Sequence, residues 1–173
     1  MPSTLVLGGA RSGKSRHAER LADTWLKSNA NGSRVYIATA QVFDDEMGER
    51  VVLHQQQRGD NWLTVEEPFD LYQTLQTYAQ TDTFVLIDCI TLWLTNLMLN
   101  DKDYEADVEH LCALLPKLPG TVALVSNEVG LGIVPENKLA RQFRDAAGIA
   151  NQKLAEACDD VVFVAAGLSL KMK

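Results

Sequence analysis

The stretch Gly8-Gly9-Ala10-Arg11-Ser12-Gly13-Lys14-Ser15 stands where a short run of aliphatic residues, Thr4–Gly8, gives way to a helical pattern. It matches G-x-x-x-x-G-K-[ST] in full, and a position between strand and helix is what its mechanism requires. The glycines let successive backbone N–H groups curl round a phosphate, and the helix N-terminus adds partial positive charge. Lys14 then reaches the outer phosphates, and the Ser15 hydroxyl takes one Mg²⁺ position. The plain alternative is a glycine-rich turn that holds no ligand.

A strand–loop–helix start needs a sheet around it, and the rest of the chain supplies one. Short β-branched or aliphatic runs recur at Arg34–Ala38, Thr83–Asp88, Thr121–Ser126 and Asp160–Ala165. Near-continuous apolar runs of this length suit strands buried on both faces, as in a parallel sheet. Helical patterns lie between them at Lys14–Lys27, Glu46–Arg58, Phe69–Ala79, Leu92–Leu99, Glu105–Leu115 and Glu136–Ala157. The alternation predicts an α/β sandwich with right-handed crossovers. Residues 101–119 carry charge and two prolines, and read as a peripheral excursion. No repeat or linker interrupts the chain, so residues 1–173 are expected to form a single nucleotide-binding domain.

Composition removes several function classes. With 16 basic and 23 acidic residues, a net charge of −7 provides no broad positive field for a nucleic acid. Phosphate binding must therefore be local. No apolar run approaches the roughly 20 residues of a membrane span, and there is no basic leader, so a cytoplasmic location is expected. Cys89, Cys112 and Cys158 are an odd number at wide spacings, which predicts ordinary thiols rather than disulfides or a zinc site.

Other polar residues are placed by this framework. Asp88 ends an apolar strand, which suits a Mg²⁺ or nucleotide contact; a cap for the helix near Thr91 is the alternative. Arg50, His54 and Arg58 fall on one helix face. Two guanidiniums there would bind phosphate oxygens and hold the imidazole neutral, and a neutral imidazole is a nucleophile toward phosphorus. A basic, solvated helix face is the other reading. Thr39, Ala40 and Gln41 follow the second strand, at the carboxyl edge where ligands of open α/β sheets gather. Glu66-Glu67-Pro68, after the strand-like Trp62–Val65, and Ser126-Asn127-Glu128 are as suited to capping a helix as to touching a ligand. Gly130–Pro135 reads as a lid or a long turn. Arg141, Arg144 and Asp145 suit a phosphate or, more commonly, a surface ion pair. His17 and His110 read as structural or exposed.

GGARSGKS, ATAQ followed by DDEMGER, H-x-x-x-R before W-x-T-V-E-E-P, SNEVGLGIVPEN and RQFRDAAGIANQKLAEACD occur in that order. With them the chain resembles the bifunctional adenosylcobinamide kinase / adenosylcobinamide-phosphate guanylyltransferase family of cobalamin biosynthesis, from about Thr4 to Lys173. The resemblance implies a RecA-like P-loop NTPase fold, a three-layer α/β sandwich around a mostly parallel sheet. It implies two reactions. In the first, ATP or GTP phosphorylates the aminopropanol hydroxyl of adenosylcobinamide. In the second, GTP gives GMP to a histidine, which passes it on to form adenosylcobinamide-GDP. The family's guanylylated histidine falls on His54. Its nucleotide contacts fall on Gly8 through Ser15, Thr39 to Gln41, Gln56, Gln57, Arg58, Gly59, Glu67 and Asp88, with Mg²⁺ as cofactor. A homotrimer is the implied assembly, and residues 101–119 match none of the motifs, as a variable insertion would. On the residues alone, two other readings stay open: a small-molecule kinase that needs Lys14 and Asp88 but not His54, and a nucleotide-binding regulatory module.

Overall fold

The computed structural model describes residues 2–41 and 61–173. Its strands are β1 (Ser3–Gly8), β2 (Ser33–Ala38), β3 (Leu63–Glu66), β4 (Thr83–Asp88), β5 (Thr121–Asn127), β6 (Asp160–Ala165) and β7 (Leu168–Lys171). Its helices are α1 (Lys14–Ser28), α2 (Leu71–Tyr78), α3 (Ile90–Leu99), α4 (Tyr104–Leu114) and α5 (Lys138–Ala157), with a 3₁₀ turn over Leu115–Lys117. The strands form one sheet in the order β3-β2-β4-β5-β1-β6-β7. All neighbours pair in parallel except β6 and β7.

The apolar runs are explained by burial on both faces. Successive strand residues point to opposite sides, and the core divides accordingly. Leu5, Leu7, Val85, Ile87, Val122 and Leu124 pack with α2 to α5. Val6, Phe84, Leu86, Ala123 and Val125 pack with Ala18 and Ala22 of α1. The two alanines, one helical turn apart, let α1 lie close on the sheet. Each fully buried aliphatic side chain contributes about 1.5–3 kcal/mol. The described residues therefore form three layers, with the sheet in the middle.

Two expectations require correction. Residues 101–119 are not a peripheral excursion: Val108, Leu111, Leu114, Leu115 and Leu118 are buried in the larger core. Asp103 starts α4 by accepting from Ala106 N at 3.1 Å, and Lys153 of α5 pairs with Glu109 at 2.7 Å. The buried positions 108, 111 and 114 form the apolar stripe of an amphipathic helix whose charged face is merely conspicuous, and Leu115 and Leu118 continue the burial through the 3₁₀ turn. The strand β7 was not expected at all. It is exposed along its whole length and joins β6 through Ala166 and Gly167, both at positive φ, the conformation that two-residue hairpin turns require. The helix expected over residues 46–58 lies outside the described residues.

Candidate active site

The parallel strands deliver their carboxyl ends to one edge. Gly8 is level with Asn127 on one side and Val164 on the other, and Ala38 is level with Asp88 and Glu66. The loop from Gly8 to Ser15 therefore opens at the same edge as Thr39, Glu67, Asp88 and Asn127. Ligands of open α/β sheets bind beyond such an edge.

The loop is tightly held. Glu128 N donates to Gly8 O at 3.0 Å, Gly167 N donates to Ser12 O at 2.8 Å, and Ser12 N donates to Gly9 O at 3.3 Å. Arg11 and Gly13 take positive φ, 54° and 94°. At Gly8 a Cβ would lie 2.4 Å from Val164 O, so only glycine fits beside β6. Gly13 is the N-cap of α1 and brings no side chain to it, and the first turn of α1 carries no acidic residue. The orphan N–H groups and the positive end of the helix dipole are thus left to an incoming anion. Lys14 turns its ammonium back to Gly9 O at 3.2 Å, and the buried Ser12 hydroxyl has no hydrogen-bond partner among the described residues.

Asp88 does not cap α3. The N-cap is Cys89, with no side-chain bond, and no hydrogen bond or ion pair engages the Asp88 carboxylate among the described residues. The Cys89 thiol is pushed up to about 11, by burial first and then by the Asp88 charge, with Lys14 acting in the opposite sense. The charges of Lys14 and Asp88 thus reach the same buried atom. A half-buried carboxylate and the Ser15 hydroxyl, at one edge with a phosphate loop, suit a hard cation that shares phosphate oxygens.

Around this centre runs a polar network in which Thr39, Ser126, Asn127 and Asn151 lie within the quoted motifs, whereas Cys89, Thr91 and Asn96 do not. The Thr39 hydroxyl donates to Cys89 O and accepts from Cys89 N, both at 2.8 Å. Asn127 donates to Thr91 Oγ1 at 2.8 Å, and Asn151 accepts from Ser126 Oγ at 2.7 Å while donating to Asn127 O at 3.2 Å. Asn96 and Asn151 were missed, although an amide inside an apolar helical run is a signal that it has a buried partner.

The remaining candidates separate clearly. Ala40 and Gln41 are half-buried at the exit of β2. Glu67 holds the turn before α2, one carboxylate oxygen accepting from Phe69 N and Asp70 N, both at 2.8 Å, while the N-cap of α2 is Asp70, which accepts from Gln73 N at 2.9 Å. Glu128 accepts from Gly130 N at 2.5 Å and caps no helix. Arg144 pairs with Asp145 at 2.9 Å, and Arg141 donates to Pro135 O and Glu136 O, so these side chains hold the surface and the loop before α5. Burial and Arg20 lower the His17 imidazole below its usual value. His110 stacks edge-on against Tyr72. The three cysteines are free thiols. Arg50, His54, Gln56, Gln57, Arg58 and Gly59 lie outside the described residues.

The family profile described as cobinamide kinase / cobinamide phosphate guanyltransferase matches residues 4–172. The chain belongs to this family. It is 48% identical over 171 residues to the bifunctional adenosylcobalamin biosynthesis protein CobP of Pseudomonas aeruginosa, covering 98% of this chain and 96% of that one. It is 43% identical over 185 residues to the bifunctional adenosylcobalamin biosynthesis protein CobU of Escherichia coli, covering 98% of each. The CobU of Salmonella typhimurium is 43% identical over 184 residues, again with 98% of each chain covered. Membership makes the chain an enzyme with the P-loop fold. No helix among the described residues is long and apolar enough to cross a membrane.

Proposed function

We propose that the enzyme acts twice at one edge of its sheet. In the first reaction a nucleoside triphosphate phosphorylates the aminopropanol hydroxyl of adenosylcobinamide. In the second, an imidazole nitrogen of His54 attacks the α-phosphorus of GTP, and pyrophosphate leaves. The phosphate of the phosphorylated cobinamide then takes the GMP from His54, giving adenosylcobinamide-GDP. Both reactions attack phosphorus in a bound triphosphate, so the protein's task is to position it and to neutralise charge. The α1 N-terminus and Lys14 grip the phosphates. Arg50 and Arg58, four positions either side of His54 in the sequence, would neutralise charge at the α-phosphate. Gly59, Gln56 and Gln57, with Thr39 to Gln41 and Glu67, complete the nucleotide contacts. Ser15 and Asp88 would hold Mg²⁺, which supplies further charge neutralisation when bound.

The observation that carries this reading is the Asp88 carboxylate, unengaged among the described residues, next to an intact phosphate loop in a chain of this family. The test is GTP labelled at the α-phosphate, with the γ-labelled nucleotide as control, on wild type and His54→Ala. Protein-bound α-label that is acid-labile, alkali-stable and absent from the variant is expected. Equal labelling of both proteins, or none in either with GTP binding intact, would refute the role of His54. We further propose a cytoplasmic homotrimer, checked by light scattering and cell fractionation.

A further inference from the structure

Asn96 lies in α3 within Ile90–Leu99, a run otherwise composed of apolar residues and threonines, and is 2% exposed. A buried primary amide is costly unless its hydrogens are used, and here both are. The Asn96 amide nitrogen donates to Thr39 O at 2.7 Å and to Pro68 O at 3.1 Å. Thr39 is the exit of β2, and Pro68 follows Glu67 at the exit of β3. The hydroxyl of Thr39 is tied at the same time to the Cys89 backbone. One side chain thus bridges two loops of the nucleotide edge, and one of them is the root from which the chain leaves toward His54.

We propose that Asn96 is a positioning residue for guanylyl transfer. Its amide sets where the chain departs at Thr39 relative to the Glu67 loop, and hence where the segment bearing His54 starts. This rests on the reading of His54 given above. The phosphate loop is fastened by other bonds, from Glu128 and Gly167 to Gly8 and Ser12, and none of them involves Asn96. Loss of the amide should therefore separate the two reactions. A peg that only stabilised the fold would weaken both together.

Trp93 provides a matched control. It sits in the same helix, is equally buried, and its indole N–H donates to Phe69 O at 2.7 Å. It holds the same β3–α2 connection and, among the described residues, makes no hydrogen bond to Thr39.

The experiment measures, on the full chain, single-turnover incorporation of GMP from α-labelled GTP and steady-state phosphorylation of adenosylcobinamide. Asn96→Leu is expected to slow guanylylation roughly 30- to 100-fold, the effect of misplacing a reacting group by about 1 Å. Its kinase kcat/KM, which shares the nucleotide contacts at Thr39 and Glu67 but not His54, should fall by no more than about fivefold. Asn96→Asp, which as the neutral acid still donates one bond, should fall between, and Trp93→Phe should leave guanylylation within about threefold. Wild-type labelling by Asn96→Leu, equal loss of both reactions, or an equal loss in Trp93→Phe would each overturn the proposal. If Asn96→Leu does not fold, Asn96→Asp against Trp93→Phe decides it in the same way. Absence of label on the wild type would instead overturn the His54 reading, and this inference with it.

Discussion

Gly8→Ala is a direct probe of how the phosphate loop is shaped. The new methyl would stand 2.4 Å from Val164 O and 2.5 Å from Ser12 Oγ, against ordinary contacts of about 3.5–4 Å. The serine side chain can rotate away. Val164 O cannot, because β6 is fixed level with Gly8 in the parallel ladder. Relief therefore requires about 1 Å of movement, either by splaying β1 from β6 or by lifting the loop. Overpacking of this kind costs about 1–3 kcal/mol, which lowers the Tm of a chain this size by about 2–12 °C. If the loop absorbs the movement, the same energy weakens nucleotide binding by about 5- to 150-fold. Gly9→Ala is the control, since nothing lies within 4 Å of its added Cβ, and its Tm should stay within about 2 °C of wild type. Thermal melting and titration with GTP in the presence of Mg²⁺ measure both effects. A Gly8→Ala protein that melts with wild type and binds GTP within about twofold would refute the steric argument.

Three further outcomes follow from the same geometry. Leu111→Ala, which empties a fully buried site in the larger core, should lose about 2–5 kcal/mol in urea unfolding; a loss below about 0.5 kcal/mol would return residues 101–119 to the periphery. Asp88→Asn should cut turnover of both reactions by about 100-fold or more with almost no change in Tm; retained activity would remove Asp88 from the site. Burial pushes the Cys89 thiol up to about 11 and the Cys158 thiol up to about 12, so the fold favours the neutral forms. That contribution is fully present below the unfolded thiol pKa of about 8.5 and is lost as pH rises toward the folded values. The urea midpoint should fall between about pH 9 and 11, and a Cys89→Ala, Cys158→Ala protein should show a shallower fall; identical slopes would contradict the burial argument.

What could be read in advance depended on whether a residue's role is written locally. β1, β2, β4, β5 and β6 were legible because strands covered on both faces leave unbroken aliphatic runs, and the phosphate loop because its spacing is fixed by the ligand it cradles. Asp88 was placed correctly at its strand end, and the structure adds that it caps nothing. α4 was expected as a helix but misplaced at the periphery, because its charged face outweighs a narrow apolar stripe, and β7 was missed because a four-residue edge strand buries nothing. Glu67 stood open between capping a helix and touching a ligand; Asp70 takes the cap of α2, and Glu67 ties the turn before it. The clasp of Thr39 on Cys89 spans 50 positions, and the reach of Asn96 to Thr39 spans 57. No periodicity records such pairs, since only the strand order brings them together.

That strand order also governs how the chain is assembled in time. β1 is made first, yet both of its neighbours in the sheet, β5 and β6, begin more than a hundred residues later. At synthesis rates of about 5–20 residues per second, the strand that carries the phosphate loop stays unpaired on both edges for roughly 6–24 s. Such non-local pairing slows folding and exposes an apolar edge. The nascent chain is therefore a natural client for holding chaperones, and the nucleotide site can form only after most of the sheet has been delivered.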